Sequence, residues 1–211
     1  MPLSVWAGAS KKTPLAGEQN EVSRREFRAA LAEVPLDKLV FFDECGFGLN
    51  LHPLYGWLIG GGRLEERVPV HKGRIRSVVG AYSLPSPSNP SGLWALWQRL
   101  GSWNARLFTL FVQEAVLPFV PKGSVLVLDN APIHKGARLK QVVEEAGCVL
   151  LFLPPYSPDF NPVELLWSWL KHFVRDRAPR DDGQRQKDIR HAAQQLPPQH
   201  AQAWFHKCGL R

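Results

Sequence analysis

The chain has 211 residues and a formal charge of +7 with a pI of about 9.6, which allows one sizeable core and favours a polyanionic partner, nucleic acid first. Its three cysteines, Cys45, Cys148 and Cys208, have no CxxC spacing, which speaks against a zinc knuckle or a disulfide framework and fits a reduced, intracellular setting. No apolar run reaches the roughly 18–20 residues of a membrane span, and MPLSVWAGASKK lacks the order of a signal peptide, so a cytoplasmic protein with no membrane partner is expected.

Residues 1–36 read as a polar lead-in, helical from about Val22 to Val34 with Phe27, Leu31 and Val34 on one face. A single domain is expected over 37–211. LVFF before Asp43 is a short apolar run typical of a buried strand that ends at the acid, and FGLNL (47–51) reads as a second strand. GGG at 60–62 marks a turn. RIRSVVGAY (74–82) reads as a third strand, and SLPSPSNPSG after it as a loop of no assigned role. LWALWQ (93–98) has strand composition, although Trp94 and Trp97 leave it ambiguous. Residues 104–119 carry Leu107, Phe108, Phe111, Val112 and Ala115 at helical spacing.

SVLVLD (124–129) is the clearest buried strand; a helix over 136–146 and the strand CVLLFL (148–153) follow. This order predicts an α/β layered domain with a mixed sheet, its early strands antiparallel and its later ones parallel through helical crossovers.

The run PPYSPDFNPVELLWSWLK (154–171) is the most informative segment. Asn161 stands at a helix N-cap, Pro162 at the first helical position, where a missing N–H costs nothing, and Glu164 in the first turn. By itself this reads as a capped surface helix. Two further acids change the reading, Asp43 at the end of the first strand and Asp129 at the end of SVLVLD, because parallel neighbouring strands bring such ends to one edge. Taken singly, Asp43 also reads as a turn or cap and Asp129 as an Asx turn. Glu44 points to the opposite side of its strand and reads as non-catalytic. Clustered carboxylates repel unless a divalent cation neutralises them, and hard oxygen donors select Mg²⁺ or Mn²⁺. Two such ions suit an in-line displacement at phosphorus.

LVFFDECGF, VLVLDNAPIHKG and LLFLPPYSPDFNPVELLWSWLK resemble the three catalytic blocks of mariner-like bacterial insertion-sequence transposases of the DDE superfamily. Between Asp129 and Glu164 lie 34 residues (130 to 163), the spacing of that branch. The similarity runs from about residue 37 to the end, where AWFHKCG resembles the family's closing segment; Cys45 stands where Thr or Ser is more usual. The resemblance implies a ribonuclease-H-like fold, a mixed five-stranded sheet flanked by helices. It implies Asp43, Asp129 and Glu164 as catalytic residues and ligands of two Mg²⁺ (or Mn²⁺) ions. The activity implied is DNA cleavage and strand transfer on double-stranded DNA, at element ends and target, by a homodimer. Asn130, His134, Lys135, Tyr156, Ser157, Lys171 and Arg175 are candidate nucleic-acid contacts, with capping of the next helix as the alternative for His134. Lys72, Arg74 and Arg76 form a further basic cluster, and Trp167 reads as core. The first 36 residues are too few for the family's helix-turn-helix reader. A split reading frame with a separately encoded reader, or a truncated remnant, is therefore expected. The rival functions are a ribonuclease-H-like nuclease without strand transfer and a non-catalytic DNA-binding remnant.

Overall fold

A computed structural model describes residues 17–53, 59–60, 63, 65, 67 and 71–210. The start of the lead-in and most of the GGG turn lie outside the described residues. Five strands, several of them short continuous apolar runs, form a mixed sheet of order β3-β2-β1-β4-β5. β1 (Leu39–Phe47) pairs antiparallel with β2 (Arg76–Tyr82), which pairs antiparallel with β3 (Leu93–Leu100). On its other side β1 runs parallel to β4 (Val125–Leu128), and β4 parallel to β5 (Val149–Phe152).

Successive residues of β1 serve opposite faces. Phe41, Cys45 and Phe47 join Val78, Tyr82 and Val127 under α1 (Glu21–Ala32), α4 (Val163–Arg177), α5 (Asp182–Gln194) and α6 (Gln199–Lys207), which contribute Phe27, Leu31, Leu166, Trp167, Ile189 and Phe205. Val40 and Phe42 join Val79, Leu126 and Leu128 under α2 (Ala105–Phe111) and α3 (Ala137–Glu145), which contribute Phe108, Phe111, Leu139 and Val143. Helices thus flank both faces of the sheet, as expected. Among the described residues no helix is long and apolar enough to cross a membrane. The three cysteines are buried free thiols.

Several local expectations are corrected. FGLNL is not a second strand: β1 continues to Phe47 because its ladder with β2 persists through Asp43↔Gly80 to Phe47↔Arg76. Asp43 therefore lies within β1 rather than at its end. LWALWQ, left ambiguous by its tryptophans, is the strand its composition suggested, β3, and its aromatic residues suit a half-buried pleated surface. The helix over 104–119 is α2, capped by Asn104, whose side chain accepts from Leu107 N at 2.9 Å, and it passes into a π-helical turn over Val112–Val116. Arg76, counted with an open basic cluster, is buried and forms a two-point ion pair with Asp182 at 2.9 and 2.5 Å.

Asp182 also joins Arg185, a fully buried arginine that donates to the carbonyls of Phe47 and Arg74, each at 2.9 Å. This network ties the end of β1 to the start of α5. Hydrogen bonds from Arg76 and then Arg185 pull the Asp182 carboxyl down to about 2. A carboxyl depressed on folding contributes stability above its unfolded value, near 4, and loses it as pH falls through its folded value. Unfolding midpoints in urea should therefore drop between about pH 4 and pH 2, and Asp182→Asn should flatten that part of the profile.

Among the described residues Trp167 is the largest fully buried side chain, and its room comes from Gly80. A Cβ at Gly80 would lie 2.8 Å from the Trp167 ring. Gly80 is the ladder partner of Asp43, so the indole sits directly over the acid's position on the sheet. Gly80→Ala should displace the ring and destabilise the fold by about 1–3 kcal/mol, read by urea denaturation, the usual penalty for overpacking a core.

Candidate active site

The parallel ladder of β1 and β4 ends at Phe41↔Val127. Asp43 and Asp129 each lie two residues further on, so counting along the register sets them side by side where the strands part. Glu164 reaches the same place from the first turn of α4. The three acids line one pocket of about 370 Å³, together with Asn130, Tyr156, Ser157 and Asn161.

Asn161 is what joins strand and helix. Its amide donates to the Phe42 carbonyl at 3.0 Å, its side-chain oxygen accepts from Val163 N at 3.1 Å, and its carbonyl accepts from Glu164 N at 3.1 Å. The extended backbone of Asn161 and helical backbone of Pro162 match an N-cap and first helical residue. The buried Asn161 side chain thus connects the residue before Asp43 to the residue before Glu164.

The loop ahead of α4 is braced from the lead-in. Arg24 of α1, itself buried, donates to Ser157 Oγ at 2.7 Å and makes a two-point pair with Asp159 at 3.0 and 2.7 Å. Its guanidinium also lies 4.1 Å from the Phe160 ring centre. Gln19 donates to the Tyr156 carbonyl at 2.7 Å. Tyr156 has a φ of 54°, a left-handed conformation that costs a tyrosine about 1–3 kcal/mol and persists only where neighbours enforce it.

The electrostatics separate the acids. Burial, then the charge of Glu164, pushes Asp43 up to about 8, against the stabilising hydrogen bond from Trp167 Nε1 to its Oδ2 at 2.9 Å. Burial likewise raises Glu164, opposed by Lys171 and reinforced by Asp129. Asp129 is lowered, first by its hydrogen bond with His134 and also by the amide of Ala131. For His134, burial works against the charged form, but the bonds to Asp129 and Glu44 outweigh it and push the imidazole up to about 9. Three oxygen-donor side chains on one pocket are the kind of set a hard divalent cation takes. Among the described residues, however, no three His, Cys, Asp and Glu side chains stand close enough to hold a metal ion as they are.

The other sequence candidates fall into two groups. Tyr156 is exposed and lines the pocket, Lys135 is exposed on a neighbouring pocket that shares Asn130, and Lys171 and Arg175 lie further along α4, partly exposed. Asn130 lines the pocket but commits its amide to the Leu153 carbonyl. Ser157 and His134 are buried, with Ser157 held by Arg24. His134 does not cap α3, whose N-cap is Gly136 without a side-chain bond. Sequence reasoning missed Trp167 as the donor to Asp43, Glu44 as a partner of His134, and Arg24 as the brace of the loop. Nothing in local pattern marks these, since the pairs are separated by 90 to 133 residues.

The family described as DDE superfamily endonuclease matches residues 38–185. An uncharacterized protein of Sinorhizobium fredii, y4pE/y4sA, is 42% identical over 48 residues, and that match spans 23% of this chain and 33% of the relative, about a third of its length. Among solved structures, the catalytic domain of the Mos1 mariner transposase superposes with a TM-score of 0.58 at 15% identity, covering 96% of this chain and 99% of that one. The mariner Mos1 paired-end complex with magnesium gives 0.72 at 16% identity, covering 95% and 64%. The Mos1 strand transfer complex gives 0.63 at 17% identity, covering 96% and 67%. The chain belongs to the DDE superfamily endonucleases, and its mixed five-stranded sheet is the ribonuclease-H-like fold that the Mos1 mariner catalytic domain shares.

Proposed function

We propose that residues 37–211 form the catalytic domain of a DNA transposase that cuts element ends and joins them to a target, with Asp43, Asp129 and Glu164 as its catalytic carboxylates. The observation that carries this reading is the convergence of those three acids, from a strand, a strand end and a helix start, on one pocket of a basic chain. The Mos1 structures support it: that transposase is solved in complexes with its transposon end, with magnesium or manganese, and as a strand transfer complex.

The donor set fits Mg²⁺ or Mn²⁺, with carboxylate oxygens from three separate elements and no thiol lining the pocket. Asp43, Asp129 and Glu164 would hold the ions, two in number. When bound, the ions supply Lewis-acid stabilisation of charge on the phosphate and a more nucleophilic hydroxyl. The chain's own contribution is placement. Trp167 fixes one oxygen of Asp43, Asn161 fixes the start of the Glu164 helix against β1, and the Ala131 amide fixes Asp129. Lys135, Tyr156, Lys171 and Arg175 are proposed to meet the DNA backbone or bases, while the burial of His134 and Ser157 suits support rather than contact. A homodimer across two ends, and a separately encoded helix-turn-helix reader, complete the proposal.

Asp129→Asn should reduce Mg²⁺-dependent cleavage of terminal-repeat DNA to background while circular dichroism stays native; full activity would reject the assignment. A joining assay with a pre-cut end separates a transposase, which forms the joined product, from a hydrolytic nuclease, which does not. Asp43→Asn should raise the melting temperature of the metal-free protein, by ~2–4 °C for each kcal/mol of relieved burial and repulsion, and should abolish the further rise that Mg²⁺ gives the native chain.

A further inference from the structure

His134 occupies an unusual position for a residue so close to the pocket. It closes the 3₁₀ turn Pro132–His134 just after Asp129, and its ring is 1% exposed. Nδ1 lies 2.6 Å from Asp129 Oδ1, and Nε2 lies 3.0 Å from Glu44 Oε1. The ring packs against Phe108 of α2, centre to centre at 4.2 Å. A helix cap and a contact with DNA are both at odds with this geometry, since the ring is enclosed and both nitrogens face carboxylates.

Glu44 gains a role from the same contacts. β1 alternates, so Asp43 is turned to the α4 face and Glu44 to the α2 face. His134 reaches Asp129 from that second face, around the point where β4 ends at Leu128. The imidazole therefore links two neighbouring strands across the place where their ladder stops. The described hydrogen bonds to Asp129 both fall on Oδ1, one from the Ala131 amide and one with His134. That arrangement holds the carboxylate plane and leaves Oδ2 to the pocket. Each ring nitrogen thus has one carboxylate oxygen within hydrogen-bond distance, so the ring can turn away from neither without losing a contact.

We propose that His134 and Glu44 form a positioning clamp that fixes the Asp129 carboxylate for a divalent cation. The clamp rests on the proposed function, because it assigns Asp129 to metal. Hydrogen-bond partners of ligating carboxylates typically change metal affinity 10- to 100-fold when removed. Neither His134 nor Glu44 touches the substrate in this scheme; both act through Asp129.

The test uses the full chain and Mn²⁺ alone, titrated by calorimetry, with no DNA present. Glu44→Ala should weaken Mn²⁺ binding by about 10-fold, and Glu44→Gln, whose amide oxygen still accepts from Nε2, should restore most of it. Equal Mn²⁺ affinity in Glu44→Ala and the native chain overturns the clamp. Equal affinity in Asp129→Asn and the native chain, or no binding by the native chain, overturns the metal-site reading and the clamp with it. Mn²⁺ binding by Glu44→Gln as weak as that of Glu44→Ala, with circular dichroism of both variants native, also overturns the clamp.

Discussion

Asp43 is a carboxylate held mostly out of water and facing a second acid, and the surrounding structure is organised around that cost. Burying an ion without a partner is expensive, and a neighbouring like charge adds to it. Asp43 has the Glu44 backbone and the Trp167 indole as donors, and the space for that indole comes from glycine at position 80. What would settle the imbalance is positive charge from outside the chain. Oxygen donors gathered under that electrostatic cost suit the divalent cations proposed for the site.

Rigidity accompanies that charge. Glu164 stands at a helix start whose angle is set by Pro162 and whose cap, Asn161, is bonded to the strand that carries Asp43. The preceding loop is held in a left-handed turn at Tyr156 and braced by Arg24 from the other end of the chain. The bracing pair between Arg24 and Asp159 is two-pronged and has one buried partner, unlike the single exposed contacts that contribute little to surface stability. The lead-in helix is therefore part of the framework on which the third acid is mounted, since Phe27 and Leu31 also enter the core beneath α4.

Much of this was legible in the sequence because it is written locally. The run SVLVLD announces a buried strand ending at an acid, and FNPVE spells out cap, first-turn proline and first-turn carboxylate in consecutive letters. The length of the β1 ladder was not legible, because LVFF ahead of Asp43 reads as a complete short strand whereas pairing with β2 carries it on to Phe47. The same limit hid the partners of the acids. Trp167 was readable as core, but its bond to Asp43 is a fact of tertiary packing. Glu44 was set aside because it points away from Asp43, and only the return of the chain at His134 gives that opposite face a connection to the site. Arg76 shows the converse error, a cation that looks like an open basic surface until Asp182 arrives from α5.

The central claim is that three acids brought together by β1, β4 and α4 form one cation site. Anomalous diffraction from crystals of the full chain grown with Mn²⁺ tests it most directly. The account predicts anomalous density in the pocket, in contact with carboxylate oxygens of Asp43, Asp129 and Glu164. Density elsewhere on the molecule, or a pocket without density at saturating Mn²⁺, would contradict it.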